Sequence, residues 1–238
     1  MTTFERDVRT LVTVYERDKV PVSQLVEEIG ADWSEPGKMP CRSYNLPIWA
    51  CEMGSKLRTV CGSVCEDCFA GKGRYLMPVV EQAMDRRLRA WRAHPAAWTA
   101  AQVVLMRRRG IDRFRWFDSG DLQGAEMYAA IRLIAEMCPQ VAFWLPTKEY
   151  EVIAKYKGPI PNNLCVRVSH PKKEQRSTRV DCIVAMRPDV LTCSTVDMKQ
   201  GLMCPASYAK EPELRTCSAH GCTACWERSV PVVDYKKH

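Results

Sequence analysis

No stretch of this 238-residue chain is apolar and long enough to span a bilayer, and none forms an internal repeat or a low-complexity tract. The opening residues, Met1-Thr-Thr-Phe-Glu-Arg-Asp7, carry charges where a secretory leader needs an apolar stretch. These absences exclude a helical membrane protein and a repeat array. They predict a cytoplasmic protein with no membrane partner, long enough to bury a substantial core without disulfide staples.

What the chain does have is cysteine, 13 in all. In a reducing compartment disulfides do not persist while thiolate–metal bonds do, so clustered cysteines read first as metal ligands. Cys138, Cys165 and Cys182 lie within apolar stretches and read instead as small buried residues. The formal net charge is +7, and arginine is dense between Arg86 and Arg115. That density suits either phosphate-bearing partners or, more plainly, solvated helix faces.

Periodicity gives the organisation. Residues 1–36 read as a helical extension, with Phe4, Val8, Leu11 and Tyr15 on one stripe and Leu25, Val26 and Ile29 on another, followed by a Pro- and Gly-containing linker. Residues 37–192 read as an α/β core. It starts with an extended segment at 44–51 and has helices from Pro78 to Pro95 and from 96 to 109, the second closed by Gly110. Strands are predicted at 114–117, 141–145, 164–168 and 182–186, with Asp121 and Thr147 capping the helices after the first two. Trp91, Trp116 and Trp144 fall on apolar stripes and read as core. Residues 193–238 hold five cysteines with little apolar periodicity, and a segment so poor in core formers needs a metal to hold it.

Alternating strands and helices imply a parallel sheet with ligands at the carboxyl ends of its strands. Those ends carry Asp118-Ser119-Gly120-Asp121, Thr147-Lys148 and Ser169-His170, polar groups directly after apolar runs. Ahead of them, Cys61-Gly-Ser-Val-Cys65-Glu-Asp-Cys68 places three thiols on one loop. A cubane held by three cysteines keeps one iron open, whereas a fourth ligand from Cys41 or Cys51 makes a closed cluster or a zinc site. Further along, Cys204, Cys217, Cys222 and Cys225 supply four thiolates, with Cys193 and His220 as spare ligands, as a structural zinc site needs. Lys72, Arg74 and Tyr75 are either carboxylate contacts or solvated loop residues, and the basic loop from His170 to Arg179 is a candidate for holding an anionic substrate, nucleic acid included.

The three-cysteine spacing resembles that of the radical S-adenosylmethionine superfamily, although Asp67 stands where that family has an aromatic residue and Phe69 follows the third cysteine. The resemblance implies a partial (β/α) barrel, a 4Fe-4S cluster on Cys61, Cys65 and Cys68, and S-adenosylmethionine bound at the open iron. Asp118-Ser119-Gly120-Asp121 resembles the segment that holds the methionine amino group, and Thr147, Lys148 and Ser169 fall at polar cofactor contacts. It also implies an auxiliary iron–sulfur cluster as the alternative to zinc at the second cysteine set. Cys-Phe-Ala-Gly-Lys-Gly-Arg-Tyr at 68–75, Phe-Arg-Trp-Phe-Asp-Ser-Gly-Asp at 114–121, Phe-Trp-Leu-Pro-Thr-Lys at 143–148, and Cys204-Pro-Ala with Cys222-Thr-Ala-Cys225-Trp resemble a phage and plasmid family called gene product eighty-eight. That resemblance implies a host cytoplasm. The expected function is a radical enzyme on an anionic or nucleic-acid substrate; the alternative is a metal-braced module binding nucleic acid or a host protein.

Overall fold

The computed structural model describes residues 1–237, and its strands β1 (Arg42–Tyr44), β2 (Arg113–Trp116), β3 (Ala142–Thr147), β4 (Leu164–Ser169), β5 (Leu191–Val196), β6 (Leu202–Met203) and β7 (Val232–Tyr235) form one sheet. Every pairing is parallel and the order is β1-β2-β3-β4-β5-β7-β6. Because the first five strands stand in chain order, right-handed crossovers put their connecting helices on one face. On that face Phe114, Trp116, Phe143, Leu145, Val166 and Val168 enter the main core.

The helices are α1 (Thr3–Arg17), α2 (Val22–Glu28), α3 (Glu52–Arg58), α4 (Pro78–Ala93), α5 (Pro95–Arg109), α6 (Ala125–Met137), α7 (Tyr150–Lys155), α8 (Thr178–Ala185) and α9 (Pro205–Tyr208). Every residue of α5 from Trp98 to Met106 is buried, as befits a helix apolar on all sides. It is sandwiched: α6 lies against it, and α1 and α2 cover it with Val8, Val12, Leu25 and Ile29. The N-terminal helices are therefore an outer layer of the same core.

The other face of the sheet is concave. Trp144 on β3 and Tyr235 on β7 stack with centroids 6.5 Å apart, although β4 and β5 lie between their strands. In a flat sheet strands three places apart stand about 14 Å from one another, so the sheet curls toward this side.

Several expectations need correction. The segment 182–186 is not a strand but the end of α8, with Val180 and Ile183 turned inward at helical spacing and Cys182 exposed; the fifth strand is Leu191–Val196. An apolar run this short fits either period. The predicted extended segment at 44–51 ends at Tyr44, and Ile48–Ala50 is a 3₁₀ turn. Residue 193 is no boundary, because β5 crosses it and β6 and β7 complete the sheet. Neither Asp121 nor Thr147 caps a helix, since α6 begins after Gly124 and α7 after Glu149.

The arginine-rich stretch is partly the solvated helix face its sequence suggests, with Arg86, Arg89 and Arg92 exposed, and partly a set of fasteners. Arg107 pairs with Glu16 at 2.7 Å, Arg108 donates to the Tyr15 carbonyl at 3.0 Å and also to that of Val20, and Arg109 pairs with Asp32 while lying over the Trp33 ring. Buried Arg87 donates to the Asn45 side chain and the Asp32 carbonyl. These residues fasten α1, α2 and the linker to α4 and α5.

Candidate functional site

Two features meet at the carboxyl edge of the sheet: the polar strand ends and the first cysteine loop. After β2 the chain turns at Phe117 and Gly120, both at positive φ, and closes on the segment leaving β1. Ser119 donates its hydroxyl to the Leu46 carbonyl at 3.0 Å, and the Leu46 amide donates to the Ser119 carbonyl at 3.0 Å. Gly120 is required here. Its φ is +77°, and a Cβ would stand 2.8 Å from the Leu46 carbonyl oxygen. Gly120→Ala is expected to lower stability by roughly 1–2 kcal/mol from the left-handed backbone and this contact, checked by urea denaturation; an unchanged midpoint would refute the tight approach.

Asp118 accepts from Ser43 Oγ at 3.0 Å and from the Tyr75 hydroxyl at 2.8 Å, and burial and then the Asp118 charge push Tyr75 well above the ordinary phenol range. Asp121, 5% exposed, accepts from the amides of Leu122 and Lys148, each at 2.8 Å. Burial pushes the Asp121 carboxyl up, with the Thr147 hydroxyl the first of the bonds that oppose it. Ser194 donates to Ser169 Oγ at 3.0 Å, and the Tyr150 hydroxyl donates to the Ser169 carbonyl at 2.9 Å. Glu149 accepts from the Met53 amide at 3.1 Å, and burial followed by the charge of Asp121 pushes it up to about 7. His170 is buried, accepts the Ser177 amide on Nδ1 at 2.8 Å, and is lowered by burial.

The cysteine loop is pinned from both sides. Ser63 Oγ donates to the Leu57 carbonyl at 2.6 Å and accepts from the Cys65 and Glu66 amides at 3.2 and 3.0 Å. Across from it runs the basic loop: the Val64 amide donates to Pro171 at 2.9 Å, the Lys173 amide to Gly62 at 3.1 Å, and Ser63 bridges Lys172. Asp67 holds Lys72 and Lys173 at 3.6 and 3.5 Å, and those two ammonium groups lower its carboxyl below the usual range. Residues 171–173 are thus part of the loop's own mounting. Cys61 is exposed, Cys65 and Cys68 half-buried. Burial pushes the Cys65 thiol up, opposed by Lys148. Cys51, just before α3, feels the charges of Asp121, Lys148 and Cys65, and its burial pushes it up to about 12. Of the two alternatives for a fourth ligand, Cys51 is therefore the one at this loop.

Cys41 joins the second set. It packs with Cys204, Cys225, Trp144 and Trp226 in a cluster on the concave face, and it stands within electrostatic reach of Cys217. Cys217 in turn feels Cys204 and Cys222, and its amide donates to the Lys38 carbonyl at 2.9 Å. Cys225 Sγ lies 3.1 Å from the Tyr235 hydroxyl. The spare candidates stand apart: Cys193 faces the helix-covered core, and His220 Nε2 bonds the Leu214 carbonyl at 2.7 Å. Among the described residues, no three His, Cys, Asp or Glu side chains are already gathered around a metal-sized point.

Sequence reasoning missed the residue that seats this segment. Arg167, fully buried on β4, sends its guanidinium into the carbonyls of Cys193, Ala224, Cys225, Glu227 and Val230. The available signal was an arginine alternating with Cys165 and Ser169 in an otherwise apolar strand.

No helix among the described residues is long and apolar enough to cross a membrane. A family model described as gene product 88 matches residues 23–228, a span that holds both cysteine sets and the strand ends between them. No curated protein and no solved structure matches the chain.

Proposed function

The chain belongs to the gene product 88 family, and from that premise we propose that it is an iron–sulfur enzyme of the radical S-adenosylmethionine type acting on an anionic substrate. The observation that carries this reading is the place of the three-cysteine loop. It follows the first strand of an all-parallel, curled sheet whose first five strands stand in chain order, and it sits at the carboxyl edge, where such sheets bind their ligands.

The thiols of Cys61, Cys65 and Cys68 fit a four-iron cluster in number and type. When bound with S-adenosylmethionine, such a cluster supplies the electron that splits the sulfonium. The chain's own residues do the holding. Ser63 and the 171–173 backbone fix the loop, while Asp118 orients Tyr75 beside Cys68. Each oxygen of Asp118 and Asp121 accepts a protein donor, and each carboxylate keeps a lone pair for the amino group that the superfamily resemblance places there. Further polar contacts with S-adenosylmethionine fall to Lys148 and the Ser169–Ser194 hydroxyl pair at the neighbouring strand ends. Lys72 and Lys173 share the single carboxylate of Asp67 beside the loop, and the positive charge left over favours an anionic substrate.

A second reading rests on Cys51. As a fourth thiolate it closes the centre, leaving a metal-braced module whose surface binds nucleic acid or a host protein. Anaerobic loading with iron and sulfide separates the two. The enzyme reading expects a brown protein that forms deoxyadenosine from S-adenosylmethionine under reductant. Cys61→Ala, Cys65→Ala and Cys68→Ala combined should abolish colour and product, whereas Cys51→Ala should keep the colour. A colourless wild type, or colour lost with Cys51→Ala alone, overturns it.

A further inference from the structure

We infer that the second cysteine set is a thiolate site for a divalent metal, zinc, and that Cys41 is one of its ligands, so that the ion ties the linker ahead of β1 to the C-terminal segment. The inference rests on none of the iron chemistry proposed for the Cys61 loop.

The placement comes from packing. Cys41, Cys204 and Cys225 share one cluster with Trp144 and Trp226. The Cys217 amide reaches back to Lys38, three residues before Cys41, and the Cys222 amide bonds the Cys217 carbonyl at 3.1 Å, so one turn carries both residues next to the linker. Three thiols thereby share one packed cluster, with Cys217 and Cys222 alongside, although Cys41 lies more than 160 residues from the others; binding needs only their side chains to close on the ion. Four-coordinate zinc uses four of these five, and Cys41 is not the one left out.

The surroundings suit a thiolate site. A divalent ion with four thiolates carries a net charge of about −2, which a dry pocket tolerates only beside a cation. Arg115 supplies it: its guanidinium lies 4.3 Å above the Trp144 ring and within charge reach of both Cys41 and Cys217. No carboxylate competes for that guanidinium in an ion pair among the described residues. A cleft of about 480 Å³, with Met39 and Cys41 in its wall, gives an entry path. Each binding thiol releases its proton to solvent, and no electron moves.

The test is thiol labelling of the wild-type chain loaded with zinc, with and without chelator, each cysteine followed by mass spectrometry. Cys41 is expected to become reactive at the same chelator concentration as Cys204, Cys217 and Cys225, with labelling at least about tenfold faster than in the zinc form. Cys41→Ser should weaken zinc retention by at least the roughly 10–100-fold that loss of even an outer partner costs. The same zinc should be held by a chain lacking Cys61, Cys65 and Cys68, which separates this site from the iron reading. Failure to hold zinc, or labelling of Cys41 that ignores the chelator while the C-terminal thiols respond, overturns the inference. So does undiminished zinc affinity in Cys41→Ser.

Discussion

Replacing Arg167 by methionine is expected to lower the stability of the chain by at least about 3 kcal/mol and to free the C-terminal segment first. The side chain is 0% exposed and stands in the middle of β4, opposite Pro146 and Thr192. Its charge meets carbonyl dipoles, with no carboxylate partner among the described residues. The distances to Cys225, Ala224, Glu227 and Val230 are 3.2, 2.5, 3.0 and 2.9 Å. Methionine fills most of the volume but donates nothing. Two or three carbonyls then lose their partner inside the fold, at roughly 1–3 kcal/mol each. Lysine should recover only part, because one ammonium cannot span acceptors that a planar fork reaches together. Urea denaturation measures the loss, and limited proteolysis locates it; cleavage should begin between Cys204 and Val230. A change below about 1 kcal/mol would mean that water replaces the guanidinium at these carbonyls. The effect reaches the thiols too, since Arg167 holds the backbone of Cys225 itself.

The reason Arg167 was invisible in the sequence also explains what else was and was not legible. Its partners lie 26 to 63 residues further along, and no local pattern records a contact of that range. Features set by neighbours in sequence were readable. Pro78 and Pro95 open α4 and α5, Gly110 closes α5 in the left-handed region, and the apolar runs at 141–145 and 164–168 are strands. The misassigned strand at 182–186 and the unrecognised β5 share one cause. Cys-Ile-Val-Ala and Leu-Thr-Cys-Ser-Thr-Val are each too short for a period to decide, and tertiary position decided instead. The strand ends were located correctly, but their hydrogen bonding was not. Asp121 reads like a helix cap and in fact joins the loop after β2 to the one after β3. The choice between Cys41 and Cys51 could not be made by counting, because they are ten residues apart. What separates them is β1: Cys41 precedes it and meets the C-terminal thiols, while Cys51 follows it and meets Cys65.

Glu149→Gln is expected to stabilise the chain at pH 8 by about 2–3 kcal/mol and to leave it nearly unchanged at pH 4. The Glu149 side chain is 9% exposed, and burial, then the Asp121 charge, push its carboxyl up to about 7 from 4.5. The folded chain therefore binds this proton more tightly than the unfolded chain does. The stability it contributes is complete below about pH 4.5 and is lost as the pH rises through 7. Each tenfold difference in proton affinity is worth about 1.4 kcal/mol, and partial solvent access trims the total. Glutamine keeps an oxygen for the Met53 amide, now at 3.1 Å, and carries no charge to be ionised against Asp121. Paired urea curves for wild type and variant between pH 4 and 8 measure the effect. They should converge at the acid end and diverge through pH 7; parallel curves would show that Glu149 ionises at the ordinary carboxylate pH and that its pocket is wet. The same proton bears on the proposed chemistry. A carboxyl pushed up to about 7, next in sequence to Lys148 and within charge reach of Asp121, has the proton affinity that exchange with a bound substrate near neutral pH needs.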